Sequence, residues 1–186
     1  MNNESLSRVT GISACILTLA ILCAAVVWFS DGLRQGMYMH SDEFLTLERS
    51  HGFLKFDDWL PVRSNNEVSH KKPPLQYWLS AALLRSGVDG FFAVRVWSFL
   101  FLAGTFLGTA LLTRQLAPDN PWAPAASVLR LAASPELVQN GRSGLLDSGM
   151  AFFVLVTILA FFKARDDGRW WVVCGACAGL GALQKT

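Results

Sequence analysis

The stretch Val9–Ser30, VTGISACILTLAILCAAVVWFS, holds 22 residues and not one charge. At about 1.5 Å of rise per residue, a helix of that length matches a bilayer core of roughly 30 Å. The rival reading is a cleavable signal peptide. Such peptides carry an apolar region of about 7–15 residues that ends in small side chains. This run is longer and ends in the bulky Trp28-Phe29, so it reads as an uncleaved anchor. Trp28 suits the membrane–water interface.

Working outward, the apolar residues continue to fall in blocks rather than spread as a soluble core needs. The chain is 52% hydrophobic and only 16% charged, with a positive mean hydropathy. Uncharged runs follow at Val96–Thr113 and Leu145–Phe162, with Arg95 near the head of one and Asp147 at the head of the other. Ala123–Leu137 is a weaker crossing, interrupted by Arg130, Pro135 and Glu136. An arginine at such depth must face protein or water. Trp170–Gln184 begins a fifth crossing of about 22 Å before Lys185. The expectation is an all-α, multi-pass transmembrane bundle of about five spans, near 9–30, 91–113, 123–137, 145–162 and 170–186. Residues 31–90 form an outer loop with interfacial helices, among them the short apolar segment Leu75–Leu84. The last span being short, the 186 residues read as a truncated N-terminal part of a larger membrane domain. Gly104 and Gly108 form a G-x-x-x-G that permits close helix contact.

Sixteen Lys/Arg against fourteen Asp/Glu give a net charge of +2. That near-balance excludes a nucleic-acid module, which would carry a basic excess. Placing the N-terminus in the cytoplasm puts Arg8, Arg114, Lys163, Arg165 and Arg169 inside and only Arg142 in the short outer loop, as the positive-inside rule prefers. The six bases between Arg34 and Lys72 then fall outside, against that rule; their placement beside other charged features favours a functional reason. Cys174 and Cys177 form a C-x-x-C within an apolar run, without a second pair or a nearby histidine, and read as small packing residues rather than a metal or redox site. No phosphate-binding glycine loop, dinucleotide fingerprint or nucleophile elbow is present.

Three charged features remain. Ser41-Asp42-Glu43 follows the first span. Its plain reading is a capped interfacial helix with acids in the first turn; its functional reading is a carboxylate pair facing a cavity, able to hold a divalent cation or take a proton. Ser69-His70-Lys71-Lys72-Pro73-Pro74-Leu75 presents Lys72 on a stiff, extended base. A fixed ammonium there suits a phosphate, against the plain reading of two lysines on lipid headgroups. Asn140–Asp147 ends in an acid at the edge of a span, either an ordinary helix-start carboxylate or a functional group. Alternating crossings bring Asp42, Lys72 and Asp147 out on the same face, where they could line one polar pocket.

These segments resemble a known family. The acid pair is similar to the acidic motif of GT-C fold glycosyltransferases. Lys72-Pro73-Pro74-Leu75-Gln76-Tyr77-Trp78-Leu79 resembles the K-P-P-L-x-Y-W-L motif of the 4-amino-4-deoxy-L-arabinose transferase and protein O-mannosyltransferase superfamily. Phe92-Ala93-Val94-Arg95, Gly141-Arg142 with Leu146-Asp147, and Gly179–Lys185 resemble its F-A-V-R, G-R…L-D and G-L-A-x-L-T-K segments. The resemblance implies a membrane glycosyltransferase of the cell inner membrane. It would move a sugar from a polyprenyl-phosphate donor to a lipid, glycan or protein acceptor on the outer face. It implies Asp42 as base or metal contact, Glu43 as its partner, Asp147 as a second cavity acid, Lys72 as the phosphate ligand, and Arg142 and Lys185 as further positive charge. A divalent metal is compatible, with no ligand set assigned. Three positions depart from the pattern: Lys71 where Glu is common, Thr46 where Tyr is common, and Gln184 for the Thr of T-K. The competing expectation is a non-catalytic membrane protein or transporter fragment, which Arg130 fits better and the one-sided clustering of charge fits worse.

Overall fold

The computed structural model describes residues 3–30, 32–34 and 41–185. Among them are eight helices: α1 (Asn3–Ser30), α2 (Ser41–Phe56), α3 (Leu75–Arg85), α4 (Gly90–Leu116), α5 (Ala123–Ala132), α6 (Pro135–Arg142), α7 (Asp147–Ala164) and α8 (Trp170–Gln184). The multi-pass helical bundle expected from the apolar blocks is what forms. Three helices are long and apolar enough to cross a membrane, at Thr10–Trp28, Gly90–Leu116 and Asp147–Ala164; α5 and α8 are shorter apolar helices.

The spine of the bundle is α4. Asp89 caps its start by accepting from the Phe92 N–H at 3.0 Å, satisfying a donor that the helix itself cannot. Leu102, Phe106 and Ala110 of α4 meet Ala25 of α1 and Val128 of α5 in one buried cluster. On the α7 side, the G-x-x-x-G forms a close seam. A Cβ at Gly104 would stand 2.5 Å from the Phe152 ring, and one at Gly108 would stand 2.8 Å from Leu155. Cys174 of α8 donates to the Thr157 carbonyl of α7 at 3.7 Å, which fits the packing role read for the C-x-x-C.

Residues 123–137, expected as one crossing, make two helices. Ser134 precedes Pro135 and is extended (φ −83°, ψ 110°), because a residue before proline is pushed out of the helical region. The chain then restarts with Pro135 in the first turn of α6, where its missing N–H costs nothing. The pair still carries the chain back along α4. Thr113 near the end of α4 donates to Ser127 of α5 at 3.0 Å, Gly141 packs on Leu102, and Gly144 packs on Val94 near the start of α4.

The one sheet among the described residues is a hairpin of β1 (Arg63–Ser64) and β2 (Glu67–Val68), paired Arg63↔Val68 and Ser64↔Glu67. Its turn places Asn65 and Asn66 at φ 52° and 66°, the left-handed pair that asparagine tolerates and a tight hairpin requires. Glu48 of α2 accepts from the Asn65 N–H at 2.6 Å, tying the hairpin to the helix. Beneath it, Phe53, Val62, Tyr77, Ala81 and Leu146 form a second buried cluster. That cluster joins α2, α3 and the residue before α7, and it is the floor on which the charged residues stand.

Candidate active site

The charges at this end are sorted by helical phase. Successive residues on α2 point about 100° apart, so Asp42 and Glu43 cannot face the same way. Asp42, Leu45 and Arg49, at spacings of three and four, turn to a cavity of about 100 Å³. Glu43, Thr46 and Ser50 are buried along the neighbouring stripe. The cavity is completed by Lys72, Tyr77, Leu145, Leu146, Asp147 and Lys185. Four of the six sequence candidates, Asp42, Lys72, Asp147 and Lys185, therefore share one wall-to-wall recess built by α2, α3, α7 and the residue after α8.

Glu43 and Arg142 are placed differently. Glu43 is fully buried and does not line the recess. Its Oε1 accepts from Arg95 Nε at 2.6 Å and from the Gly144 N–H at 3.2 Å, and its Oε2 accepts from Arg95 Nη2 at 3.3 Å. Arg95 also donates to the Gly32 carbonyl at 2.7 Å. Thr46, where the family pattern has Tyr, donates to the Gly144 carbonyl at 3.0 Å. This brace joins α2, α4, the segment before α7 and the residues after α1. Arg142 closes α6 and lies near Gly32, outside the recess.

Lys72 stands directly before Pro73-Pro74. Pro74 serves as the N-cap position of α3, and its carbonyl accepts from the Trp78 N–H at 2.9 Å. Trp78 Nε1 in turn donates to the Trp59 carbonyl at 2.7 Å, so the base under the lysine is pinned from two directions. Neither the Lys72 ammonium nor the Asp42 carboxylate has a hydrogen-bond or ion-pair partner among the described residues. Lys185 does: its Nζ donates to Asp147 Oδ1 at the mouth of the recess. Both of those side chains are about a third to a half exposed (35% and 48%), and an ion pair so exposed adds little stability.

Arg49 and Tyr77 were missed from sequence. Arg49 Nη1 donates to the Tyr77 hydroxyl at 2.8 Å, and the guanidinium lies over the ring. Burial pushes the Tyr77 phenol above its usual value, Arg49 opposes this by hydrogen bond and charge, and Asp42 adds to it. The signal for Arg49 was its seven-residue spacing from Asp42, two turns on the same face; Tyr77 stood inside the quoted K-P-P-L-x-Y-W-L stretch. A third element lies just under the recess. Gln184 is fully buried and donates to Gln76 Oε1 at 2.7 Å and to the Leu146 carbonyl at 3.2 Å. Gln76 continues to Ser98 at 3.2 Å, and Ser98 to the Leu145 carbonyl at 2.8 Å. The departure from Thr at position 184 is thus matched by a glutamine at the variable position of the other motif, and together they hold the chain on either side of Lys185 and Asp147.

The recess brings two carboxylates and three cations together. No group of three or more His, Cys, Asp or Glu able to hold a metal ion occurs among the described residues. What the arrangement can do unaided is seat an anion on Lys72 and Arg49 while Asp42 takes up a proton.

The same architecture is found in two solved structures of ArnT from Cupriavidus metallidurans. The apo state matches with a TM-score of 0.69 at 20% sequence identity, over 93% of this chain and 33% of that one. The form bound to undecaprenyl phosphate matches with a TM-score of 0.62 at 19% identity, over 99% of this chain and 33% of that one. The chain thus spans about a third of the length of the structures it resembles. No curated protein matches it. Fold and comparisons define a multi-pass helical membrane protein of this type. The chain belongs to the dolichyl-phosphate-mannose-protein mannosyltransferase family, whose profile matches residues 71–186. The GT-C resemblance carried by the motifs therefore holds.

Proposed function

We propose that this chain carries the donor-phosphate site of a membrane glycosyltransferase, one that moves a sugar from a polyprenyl-phosphate donor to a lipid, glycan or protein acceptor. The observation that carries the reading is the pairing, in one recess, of an uncommitted ammonium and an uncommitted carboxylate, Lys72 and Asp42. Family membership supports the transferase class, and the undecaprenyl phosphate held by one similar structure supports the lipid-phosphate donor.

In the proposed reaction the acceptor oxygen attacks the anomeric carbon as the bond from that carbon to the phosphate oxygen breaks. The bonding electrons leave with the phosphate, where Lys72 and Arg49 offset the growing charge. Asp42 takes the proton released by the acceptor. Asp147, held by Lys185, orients the acceptor at the mouth. Glu43 is a positioning residue in this scheme, because it braces the α2 turn that carries Asp42. Arg114, Lys163, Arg165 and Arg169 sit at the far ends of α4 and α7 or in the turn beyond. The positive-inside preference then supports a recess on the outer face of the inner membrane.

The test is donor turnover by the full-length enzyme. Lys72→Ala and Asp42→Asn are each expected to slow transfer by about 100-fold or more. Donor turnover unchanged in Lys72→Ala would end the phosphate assignment.

A further inference from the structure

Lys72 borders two spaces. On one side is the 100 Å³ recess; on the other is an open cleft of about 430 Å³ whose walls include Leu60, Pro61, Ser69, His70, Pro73 and Pro74. We propose that this second cleft seats the sugar ring of the lipid-linked donor, an inference that rests on the reading of Lys72 as the phosphate ligand.

The argument is one of size, connection and chemistry. The recess, about 100 Å³, is less than a quarter the size of the cleft, about 430 Å³. The smaller, charged space suits the compact phosphate and the larger one the bulkier sugar ring. The anomeric carbon is one bridging oxygen away from phosphorus, so the ring must lie immediately next to the phosphate. The cleft across Lys72 meets that requirement.

Its lining suits the ligand. Three prolines supply stiff apolar faces for the C–H side of a pyranose, and the Ser69 hydroxyl and His70 imidazole supply polar groups at the rim. Neither side chain has a hydrogen-bond partner among the described residues, so both are available to ring hydroxyls. A small set of placed polar groups on an apolar wall is the usual make-up of a small-molecule site. The wall is also preformed: the Ser69 N–H donates to the Val62 carbonyl at 2.8 Å, prolonging the hairpin, and Trp78 is tied to Trp59 behind it. A rigid wall lowers the ordering cost of binding.

The experiment measures calorimetric affinities of the full-length protein in detergent for three probes: undecaprenyl phosphate, mannosyl undecaprenyl phosphate and glucosyl undecaprenyl phosphate. The native protein should bind at least one sugar-bearing lipid about tenfold more tightly than the bare phosphate, the worth of one or two hydrogen bonds. His70→Ala and Ser69→Ala should each shrink that ratio several-fold and leave the affinity for undecaprenyl phosphate unchanged. Ser69→Leu, which narrows the cleft, should do the same. Lys72→Ala should weaken all three lipids together. A native ratio near one for both sugars, or a ratio untouched by all three cleft variants, overturns the sugar seat while the phosphate reading stands. Lys72→Ala binding all three lipids as the native protein does overturns both.

Discussion

Glu43 and Arg95 leave water together: their side chains are 0% and 3% exposed. Charges so buried are costly to desolvate, and removing one strands the other. Arg95→Ala or Glu43→Ala is therefore expected to cost about 3–5 kcal/mol, read as a lowered midpoint of thermal unfolding in detergent. The double replacement Glu43→Leu/Arg95→Met should cost less than either single one, because no orphaned charge remains. If the single variants unfold at the native temperature, the brace is not holding α2 to α4. Tyr77 gives a second residue-scale test. Its folded phenol titrates above the ordinary 10.0, so its contribution is complete below pH 10.0 and is lost as pH rises through the raised value. Unfolding scans above pH 10 should show stability falling with pH, and Tyr77→Phe should flatten that fall; an equal slope in the variant would refute it. The sequence motif announced Asp42, Lys72 and Asp147 as charges at helix ends. It did not separate Asp42 from Glu43, because adjacency in sequence hides a 100° turn, and the arginine that claims Glu43 lies 52 positions away.

At the scale of elements, glycine decides how closely α4 and α7 are approached by their neighbours. A Cβ at Gly144 would overlap Val94, one at Gly141 would overlap Leu102, and one at Gly149 would overlap the Gln184 amide. Gly144→Ala forces Val94 or the segment before α7 to move, and overpacking of this kind costs about 1–3 kcal/mol. Gly175, in the interior of α8, has nothing within 4 Å of its Cβ position. Gly175→Ala should instead stabilise by about 0.5–1 kcal/mol through the entropy lost by the unfolded glycine. Unfolding midpoints that move in the same direction for both variants would contradict this division. The G-x-x-x-G of α4 was visible in sequence as a spacing, but its partner, Phe152 and Leu155 of α7, was not, since spacing names a face and not what covers it. The break in residues 123–137 was legible in Pro135; overall apolarity concealed that α5 and α6 are separate helices.

For the whole molecule, the consequential property is that charge is divided between two ends. α4 runs from Arg95 beside the brace to Arg114, and α7 runs from Asp147 at the recess to Lys163, whose ammonium lies 4.3 Å from the Trp170 ring centre. Splitting the third expected crossing into two helices did not upset this, because α5 and α6 together still return the chain to the start of α4. Counting crossings was therefore enough to gather Asp42, Lys72 and Asp147, whereas the shape of the recess depended on contacts across the chain. The division makes a topological prediction. With Cys15, Cys23, Cys174 and Cys177 replaced by Ala, a cysteine at Asn66 in the hairpin turn and one at Asp166 in the turn after α7 should be reached from opposite sides of the membrane. A membrane-impermeant maleimide added to intact cells should modify Asn66→Cys and spare Asp166→Cys, and inverted vesicles should reverse the pattern. Labelling of both positions from one side would mean that α4 and α7 do not both run from the recess side of the membrane to the far side, and the recess could then not be assembled from helix ends that emerge together.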